Sequence, residues 1–136
     1  MSETPELDSV LEAVLYYDAD QRAAMHSFCE ELLGLRRVAA WETGTAYRIG
    51  SGVLLIFDRD RLADERSPVS AHGTSGPGHA CFRAEGGVYD TIRARLEEAG
   101  VEIRHDHEWP GGGRSFYFAD PAGNLLEVAD RDIWPR

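Results

Sequence analysis

The chain contains 136 residues and carries a formal net charge of −10, with 14 basic residues that are all arginine. This length corresponds to one domain, and no apolar run approaches the roughly 18 residues that a membrane-spanning helix needs. The negative charge argues against a general nucleic-acid-binding protein and against a protein that binds anionic membranes.

The first residues and the cysteines bear on localisation. Residues 1–6, MSETPE, are polar and acidic, unlike a secretory signal or a transit peptide. Cys29 and Cys81 both lie in apolar segments, and two cysteines in a chain of this length do not make a disulfide framework. We therefore expect a soluble cytoplasmic protein.

The first half is predicted to form a strand, a helix and three more strands. Residues 12–17, EAVLYY, have the composition of a strand. Asp20 is a suitable N-cap for the following helix, in which apolar residues recur at helical spacing, and Gly34 suits its end. Glycines typical of hairpin turns separate three further predicted strands, at residues 36–42, 45–50 and 53–58.

The same pattern restarts after a polar linker at about residues 61–78. Residues 79–84, HACFRA, are predicted to form a strand, and a helix follows from Val88 to Ala99. Three more strands are predicted near 101–105, 114–119 and 124–129. Both halves therefore follow the order β-α-β-β-β with a period of about 70 residues, which indicates an internal duplication.

We therefore expect a single domain over residues 1–136 that consists of two modules. The first module covers about residues 10–60, and the second covers about residues 79–132. A curved sheet with the helices outside would place the remaining face of each strand inside a cup.

Alternation along the strands sorts their side chains onto two faces. One face is almost entirely apolar, as expected where helices cover a sheet. The other face carries Glu12, His79 and Glu127, one from each of three predicted strands. Two carboxylates and an imidazole on an apolar-walled face form a metal-site pattern. A cation would also explain how Glu127 stays charged within the apolar run 125–129.

Each of these residues also has an ordinary structural interpretation. Glu127 could be an exposed or edge residue, His79 could simply begin a strand, and Glu12 could belong to the surface near the chain start. The combination is more informative, because the repeat places Glu12 and His79 at equivalent positions. The counterpart of Glu127 in the first half is Leu55, which has no ligand atom.

Three segments resemble the vicinal oxygen chelate superfamily, also called the glyoxalase/bleomycin-resistance/dioxygenase superfamily. They are LYYDADQRAAMHSFCEELLGL (15–35), GPGHACFRA (76–84) and FYFADPAGNLLEVAD (116–130). The resemblance implies an α+β fold in which two βαβββ modules form a curved, mixed-sheet cup with the helices outside. It implies a divalent-metal site with three ligands, Glu12, His79 and Glu127, and a homodimer whose cavity can draw residues from both chains.

The sequence departs from the characterised activities of the superfamily at two positions. Resemblance to glyoxalase I calls for a carboxylate at Leu55 that takes part in proton transfer, so this isomerase activity is not expected. Ring-cleaving dioxygenases and fosfomycin-inactivating transferases have histidine where Glu12 stands. The transferases also use a lysine, and this chain has none.

Two functions of different classes follow. The first is a metal-dependent enzyme in which Mn²⁺, Fe²⁺, Ni²⁺ or Zn²⁺ chelates two oxygens of a small substrate and acts as a Lewis acid. Arg83 would hold an anionic group of this substrate, and Tyr16 would donate a hydrogen bond. Solvated surface positions are the alternative interpretation of both residues.

The second function is the sequestration of an aromatic antibiotic without catalysis, as in bleomycin-resistance proteins. Phe57, Trp41, Trp109 and the FYF run at 116–118 offer aromatic surfaces for stacking. Packing in the core or in a dimer interface is the alternative for these rings. We expect His105 and His107, two residues apart on a strand, at the surface or the cavity rim.

Overall fold

The computed structural model of the chain describes residues 5, 7, 9–62, 72–74 and 77–135. Two four-stranded mixed sheets, one in each half, confirm the predicted α+β class with two βαβββ modules. The first module comprises β1 (Glu12–Tyr17), α1 (Arg22–Ser27), β2 (Arg36–Ala40), β3 (Gly44–Ile49), β4 (Gly52–Asp58) and the short α2 (Arg59–Leu62). The second module comprises β5 (His79–Arg83), α3 (Gly87–Glu98), β6 (His105–Glu108), β7 (Arg114–Ala119) and β8 (Leu125–Ala129).

The predicted linker is described only in part. Residues 63–71, 75 and 76, which include the first glycine of the GPGHACFRA segment, lie outside the described residues. Among the residues that are described, no helix has the length and apolar character to cross a membrane.

The two sheets have the same strand order. In the first the order is β1-β4-β3-β2, and in the second it is β5-β8-β7-β6. The outer pairs β1/β4 and β5/β8 are parallel, and the other pairs are antiparallel. Leu55 pairs with Val14 in the first sheet, and Glu127 pairs with Cys81 in the second. The strand register therefore supports the predicted equivalence of Leu55 and Glu127.

One face of both sheets packs against the helices and forms a common core. Phe28 of the first module contacts Phe118 of the second, with ring centroids 6.2 Å apart. The predicted apolar face lies in this core, which includes Leu15, Tyr17, Tyr47, Leu54, Ile56, Phe116, Leu126 and Val128. We call the other side of each sheet its opposite face.

The first helical segment differs from the prediction at its start. Asp18 precedes it in extended conformation, a 3-10 turn over Ala19–Gln21 follows, and Asp20 lies exposed within that turn. Gln21 Oε1 accepts a hydrogen bond from the Asp18 backbone N–H at 2.9 Å, so Asp18 rather than Asp20 occupies the N-cap. After α1, Phe28–Leu32 form a π-helical turn, and Gly34 ends the segment at a φ of 68°.

The sixth strand lies further along the chain than the spacing predicts. Val101 and Ile103 alternate as strand residues would, but they pack against the core without forming a ladder, and pairing with β7 begins at His105. The prediction of a strand over 101–105 was therefore wrong for most of its length.

Candidate functional site

The opposite face of the second sheet brings two of the three predicted metal ligands together. His79 begins β5, Glu127 lies in the middle of β8, and His79 Nε2 is 3.3 Å from Glu127 Oε1. His79 Nδ1 lies 2.8 Å from the Leu125 backbone carbonyl. Because a carbonyl only accepts hydrogen bonds, Nδ1 is the donor in this contact, and in the neutral imidazole the lone pair on Nε2 is then the one able to bind a cation.

Glu127 is a buried carboxylate with an unsatisfied atom. Its side chain is only 7% exposed, against 48% for His79. Within the described part of the chain, Glu127 Oε2 has no hydrogen-bond partner. Leaving a buried carboxylate oxygen unpaired costs free energy. A cation beside Nε2 and the carboxylate would offset this cost, so the pair has the donor chemistry of a divalent-metal site.

The residues that pair with Glu127 on the neighbouring strands point to the same face. Cys81 pairs with it on β5 and Tyr117 on β7, and Tyr117 in turn pairs with His105 on β6. Burial, followed by the Glu127 carboxylate, raises the pKa of Tyr117. The same two causes raise the pKa of the Cys81 thiol to about 12. Both groups are therefore protonated at neutral pH and can donate hydrogen bonds towards the carboxylate.

The turn before β8 fixes the position of this strand. Asn124 Oδ1 accepts a hydrogen bond from the Gly78 backbone N–H at 2.8 Å, next to His79. Asn124 Nδ2 donates to Asp120 Oδ2 at 2.9 Å and to the Tyr16 carbonyl at 3.1 Å. One buried amide therefore holds the start of β5, the β7–β8 turn and β1 of the first module in place.

Glu12, the third predicted ligand, is not brought to this pair within one chain. It is the first residue of β1, is exposed, and pairs with Val53 of β4. Among the described residues, no group of three or more His, Cys, Asp or Glu side chains could hold a metal ion. Within the described residues of one chain, His79 and Glu127 therefore form a pair and not a three-ligand centre.

The opposite face of the first sheet carries an aromatic cluster instead. Tyr16 stacks against Phe57 with ring centroids 6.4 Å apart, and His72 packs edge-on against Phe57 at 5.0 Å. The Tyr16 hydroxyl also forms a hydrogen bond with His72 Nδ1. Burial raises the pKa of Tyr16, against the effect of Arg59.

The remaining predicted binding residues are dispersed. Arg83 lies exposed at the end of β5, 3.5 Å from Glu85. Trp109 is half-buried beyond β6, and its Nε1 donates to Ser115 Oγ at 2.9 Å. Trp41 is 51% exposed after β2 and takes part in no ring contact among the described residues.

Sequence reasoning missed three residues near the predicted set. Tyr117 could have been placed beside Glu127 by pairing the two strands across the Asp120–Asn124 turn, since a hairpin fixes the register. Cys81 shares strand parity, and therefore a sheet face, with His79, but it was given no role in the predicted site. The contact of His72 with Tyr16 joins residues 56 positions apart, and no local pattern encodes it.

His26 also differs from expectation. The helical pattern places it on the exposed side of the first helix, but it is half-buried, and its Nε2 lies 3.0 Å from Thr45 Oγ1. Burial, followed by Arg37 and Arg22, lowers the pKa of His26. It faces the first sheet from the helix side and is separate from the opposite faces.

Comparison with known families settles the classification. The model of the glyoxalase/bleomycin resistance protein/dioxygenase superfamily matches residues 10–128, which include both modules and all three predicted ligands. The chain belongs to this superfamily. The resemblance drawn from the three sequence segments is thereby confirmed.

Two similar proteins are identical to the chain at about a third of the aligned positions. Glutathione transferase FosA of Serratia marcescens is 33% identical over 102 residues, which cover 75% of this chain and 67% of that protein. The crystal structure of lactoylglutathione lyase from Agrobacterium tumefaciens is 31% identical and superposes with a TM-score of 0.85, covering 95% of this chain and 98% of the other.

A third similar structure is a glyoxalase-related enzyme from Fulvimarina pelagi. It is 26% identical, with a TM-score of 0.72, and the match covers 95% of this chain and 92% of the other. These likenesses establish the superfamily and its fold for the chain.

Proposed function

We propose that the protein is a metal-dependent enzyme that acts on a small substrate able to chelate a divalent cation through two oxygens. The observation that carries the proposal is the pairing of His79 Nε2 with the buried carboxylate of Glu127, whose Oε2 lacks a partner among the described residues. An apolar residue would fill the same position without this cost. Cation binding would account for a buried carboxylate at residue 127.

Glu12 is proposed as the third ligand, supplied by the first module of a second copy. The proposal rests on two facts. Within one chain, Glu12 does not join the His79–Glu127 pair. Glu12 also lies at the end of the opposite face of the first sheet, which is otherwise apolar. Leu55 and Phe57 on that face are already buried within one chain, so exposed Glu12 is the group that a second copy would reach. A homodimer would bring two carboxylates and one imidazole around each cation.

The cation is proposed to be Mn²⁺, Fe²⁺, Ni²⁺ or Zn²⁺, because one imidazole and two carboxylates form a mixed nitrogen and oxygen donor set. When bound, it supplies Lewis acidity to the substrate oxygens. His79 would be kept in one tautomer by the Leu125 carbonyl. Tyr117 would donate a hydrogen bond towards Glu127, and Arg83 would orient an anionic group of the substrate.

The names of two relatives, glutathione transferase and lactoylglutathione lyase, both refer to glutathione or a glutathione derivative. Glyoxalase-type isomerisation is not proposed here, because Leu55 offers no carboxylate for proton transfer. Leu55 is buried among apolar neighbours. A glutathione-dependent reaction of another type is compatible with the site.

A cytoplasmic location is part of the proposal. Cys29 and Cys81 are both free thiols. Unpaired cysteines are typical of a reducing compartment.

The metal content of untagged protein tests the proposal. After dialysis we expect about one divalent ion per chain that depends on this pair, so His79→Ala and Glu127→Gln should each lower the metal content by about one ion per chain. Glu85→Gln, which alters an exposed carboxylate near the end of β5, is the matched control and should retain the ion. Retained stoichiometry in Glu127→Gln would contradict the proposed site.

The same experiment separates the enzyme from an antibiotic-sequestering protein. If none of Mn²⁺, Fe²⁺, Ni²⁺ and Zn²⁺, each added back, binds in a way that is lost in His79→Ala and Glu127→Gln, the enzyme proposal fails. Saturable quenching of tryptophan fluorescence by an aromatic antibiotic would then support sequestration.

A further inference from the structure

A row of rings extends from the candidate site towards the edge of the second sheet. Tyr117 lies 6.4 Å from the ring of His79 and 5.7 Å from that of His105. His105 and His107 follow at 5.8 Å, and Trp109 packs edge-on against His107 at 4.5 Å. The two imidazoles in the middle of this row have no place in the proposed function.

His105 and His107 lie on the same side of β6 because they are two residues apart on a strand. Register confirms the side: His105 pairs with Tyr117 and His107 with Ser115, on the opposite face of the sheet. Within the described part of the chain, neither ring forms a hydrogen bond or an ion pair. Their nitrogens are therefore free to bind a ligand.

The surrounding contacts hold the two rings in position. Trp109 is fixed by its hydrogen bond to Ser115 Oγ and supports His107 from one side. Tyr117 supports His105 from the other side. Asp106, between the two histidines, points to the helix side, where Arg93 Nη2 donates to Asp106 Oδ2 at 3.0 Å. This ion pair holds β6 from the helix side, and the Asp106 carboxylate already has a partner.

We propose that His105 and His107 form a second divalent-cation site, a two-imidazole chelate on β6 that prefers Cu²⁺, Ni²⁺ and Zn²⁺ to Mn²⁺. Imidazole nitrogen is a borderline ligand, and affinity for such donors rises along the first-row series to Cu²⁺. With no carboxylate in the chelate, the site has little attraction for the harder Mn²⁺. Water fills the other coordination positions.

The site is distinct from the His79–Glu127 pair. His105, Tyr117 and Glu127 occupy adjacent strands, so their backbones span roughly 10 Å at the usual strand spacing. The same cation cannot contact both sets of ligands. The protein is therefore expected to take up two equivalents of Cu²⁺ or Zn²⁺ but one of Mn²⁺.

Titration of untagged full-length protein with Cu²⁺ tests the proposal. In a His79→Ala/Glu127→Gln background, which removes the first site, we expect one equivalent of Cu²⁺ to remain bound. His105→Ala and His107→Ala should each weaken that binding about 100-fold, because a single imidazole loses the advantage of chelation. Glu108→Gln, next to His107 but on the other side of the strand, is the control and should bind as before.

Fluorescence gives a second measurement of the same event. Bound Cu²⁺ should quench Trp109, whose ring lies against His107. Trp109→Phe should lose this quenching while it still binds the ion. Equal Cu²⁺ affinity in the His105→Ala/His107→Ala variant and its parent would overturn the proposal, whatever the outcome at His79 and Glu127.

Discussion

The two modules have the same strand order and register, yet their opposite faces carry different chemistry. At equivalent register positions the first sheet has Val14, Leu55, Ala46 and Ala39. The second sheet has Cys81, Glu127, Tyr117 and His105. The helix-packed faces, in contrast, are apolar in both. The fold therefore depends on one face of each sheet, and the other face is free to differ.

The largest expected effect tests the similarity of the helix-packed faces. Leu54 of β4 and Leu126 of β8 are both 2% exposed in the common core. Leu54→Ala and Leu126→Ala should each lower the free energy of unfolding by about 3 kcal/mol, measured by urea denaturation. Val10→Ala, at an exposed position, should change it by less than about 0.5 kcal/mol. A large difference between the two leucine variants would show that the modules do not share the core equally.

The second prediction exchanges the residues that distinguish the opposite faces. In protein kept free of metal, Leu55→Glu should destabilise the fold by about 2 kcal/mol or more, because it buries an unpaired carboxylate. Glu127→Leu should stabilise it by about 1 kcal/mol, because it removes one. Thermal unfolding in the presence of a chelator measures both. Destabilisation by Glu127→Leu would mean that the contacts of the carboxylate with His79, Tyr117 and Cys81 outweigh the cost of burying its unsatisfied Oε2.

The third prediction concerns the turn that leads into the last strand of each module. Asn124 links three chain segments, whereas its counterpart Gly52 has no room for a side chain, since a Cβ there would lie 2.9 Å from the Leu11 carbonyl oxygen. Asn124→Ala should lower the free energy of unfolding by about 1.5 kcal/mol, because it leaves the Gly78 N–H and the Tyr16 carbonyl without a partner. Hydrogen exchange at Gly78 should accelerate in this variant. Unchanged exchange would contradict the role of the amide.

The smallest expected effect lies on the helix-packed side of the first sheet and depends on pH. The Tyr47 hydroxyl donates to Glu30 Oε2 at 2.9 Å, and Arg37 also donates to that oxygen. Burial acts to raise the pKa of Glu30, but these hydrogen bonds outweigh it and hold the pKa below its usual value. Tyr47→Phe should lower the free energy of unfolding by about 1 kcal/mol at neutral pH.

The direction of the pKa shift sets the pH range of this effect. A carboxyl whose pKa is lowered on folding contributes stability above its unfolded pKa and loses it as the pH falls. The difference between wild type and Tyr47→Phe should therefore shrink below about pH 4. A difference that stays constant down to pH 2 would show that the hydroxyl acts through packing and not through Glu30.

Much of the fold could be predicted because local chemistry encodes it. Strand alternation separated the helix-packed face from the opposite face in every strand that was sorted, and glycines marked the turns. The strand predicted over 101–105 failed because Val101 and Ile103 alternate for packing alone, while pairing depends on a distant partner strand. The π-helical turn at Phe28–Leu32 has no sequence signature of its own.

The candidate site was predictable only in part. The pairing of His79 with Glu127 follows from strand parity and from the parallel contact of β5 and β8. The unsatisfied Oε2 depends on packing that no local pattern encodes. The proposed contact of Glu12 with this pair depends on the association of two copies, which no single strand encodes.

Metal binding by mixed variants tests the central claim most directly. The experiment uses two variants, Glu12→Gln and His79→Ala/Glu127→Gln. Both also carry His105→Ala/His107→Ala, which removes the second proposed site. Each variant alone should bind little or no Mn²⁺ or Zn²⁺. In a mixed dimer of the proposed kind, the intact Glu12 of one chain would meet the intact His79 and Glu127 of the other. Co-refolding the two variants should therefore restore one tightly bound ion per mixed dimer. No restoration, in a sample where mixed dimers are demonstrated, would contradict a site shared between two copies.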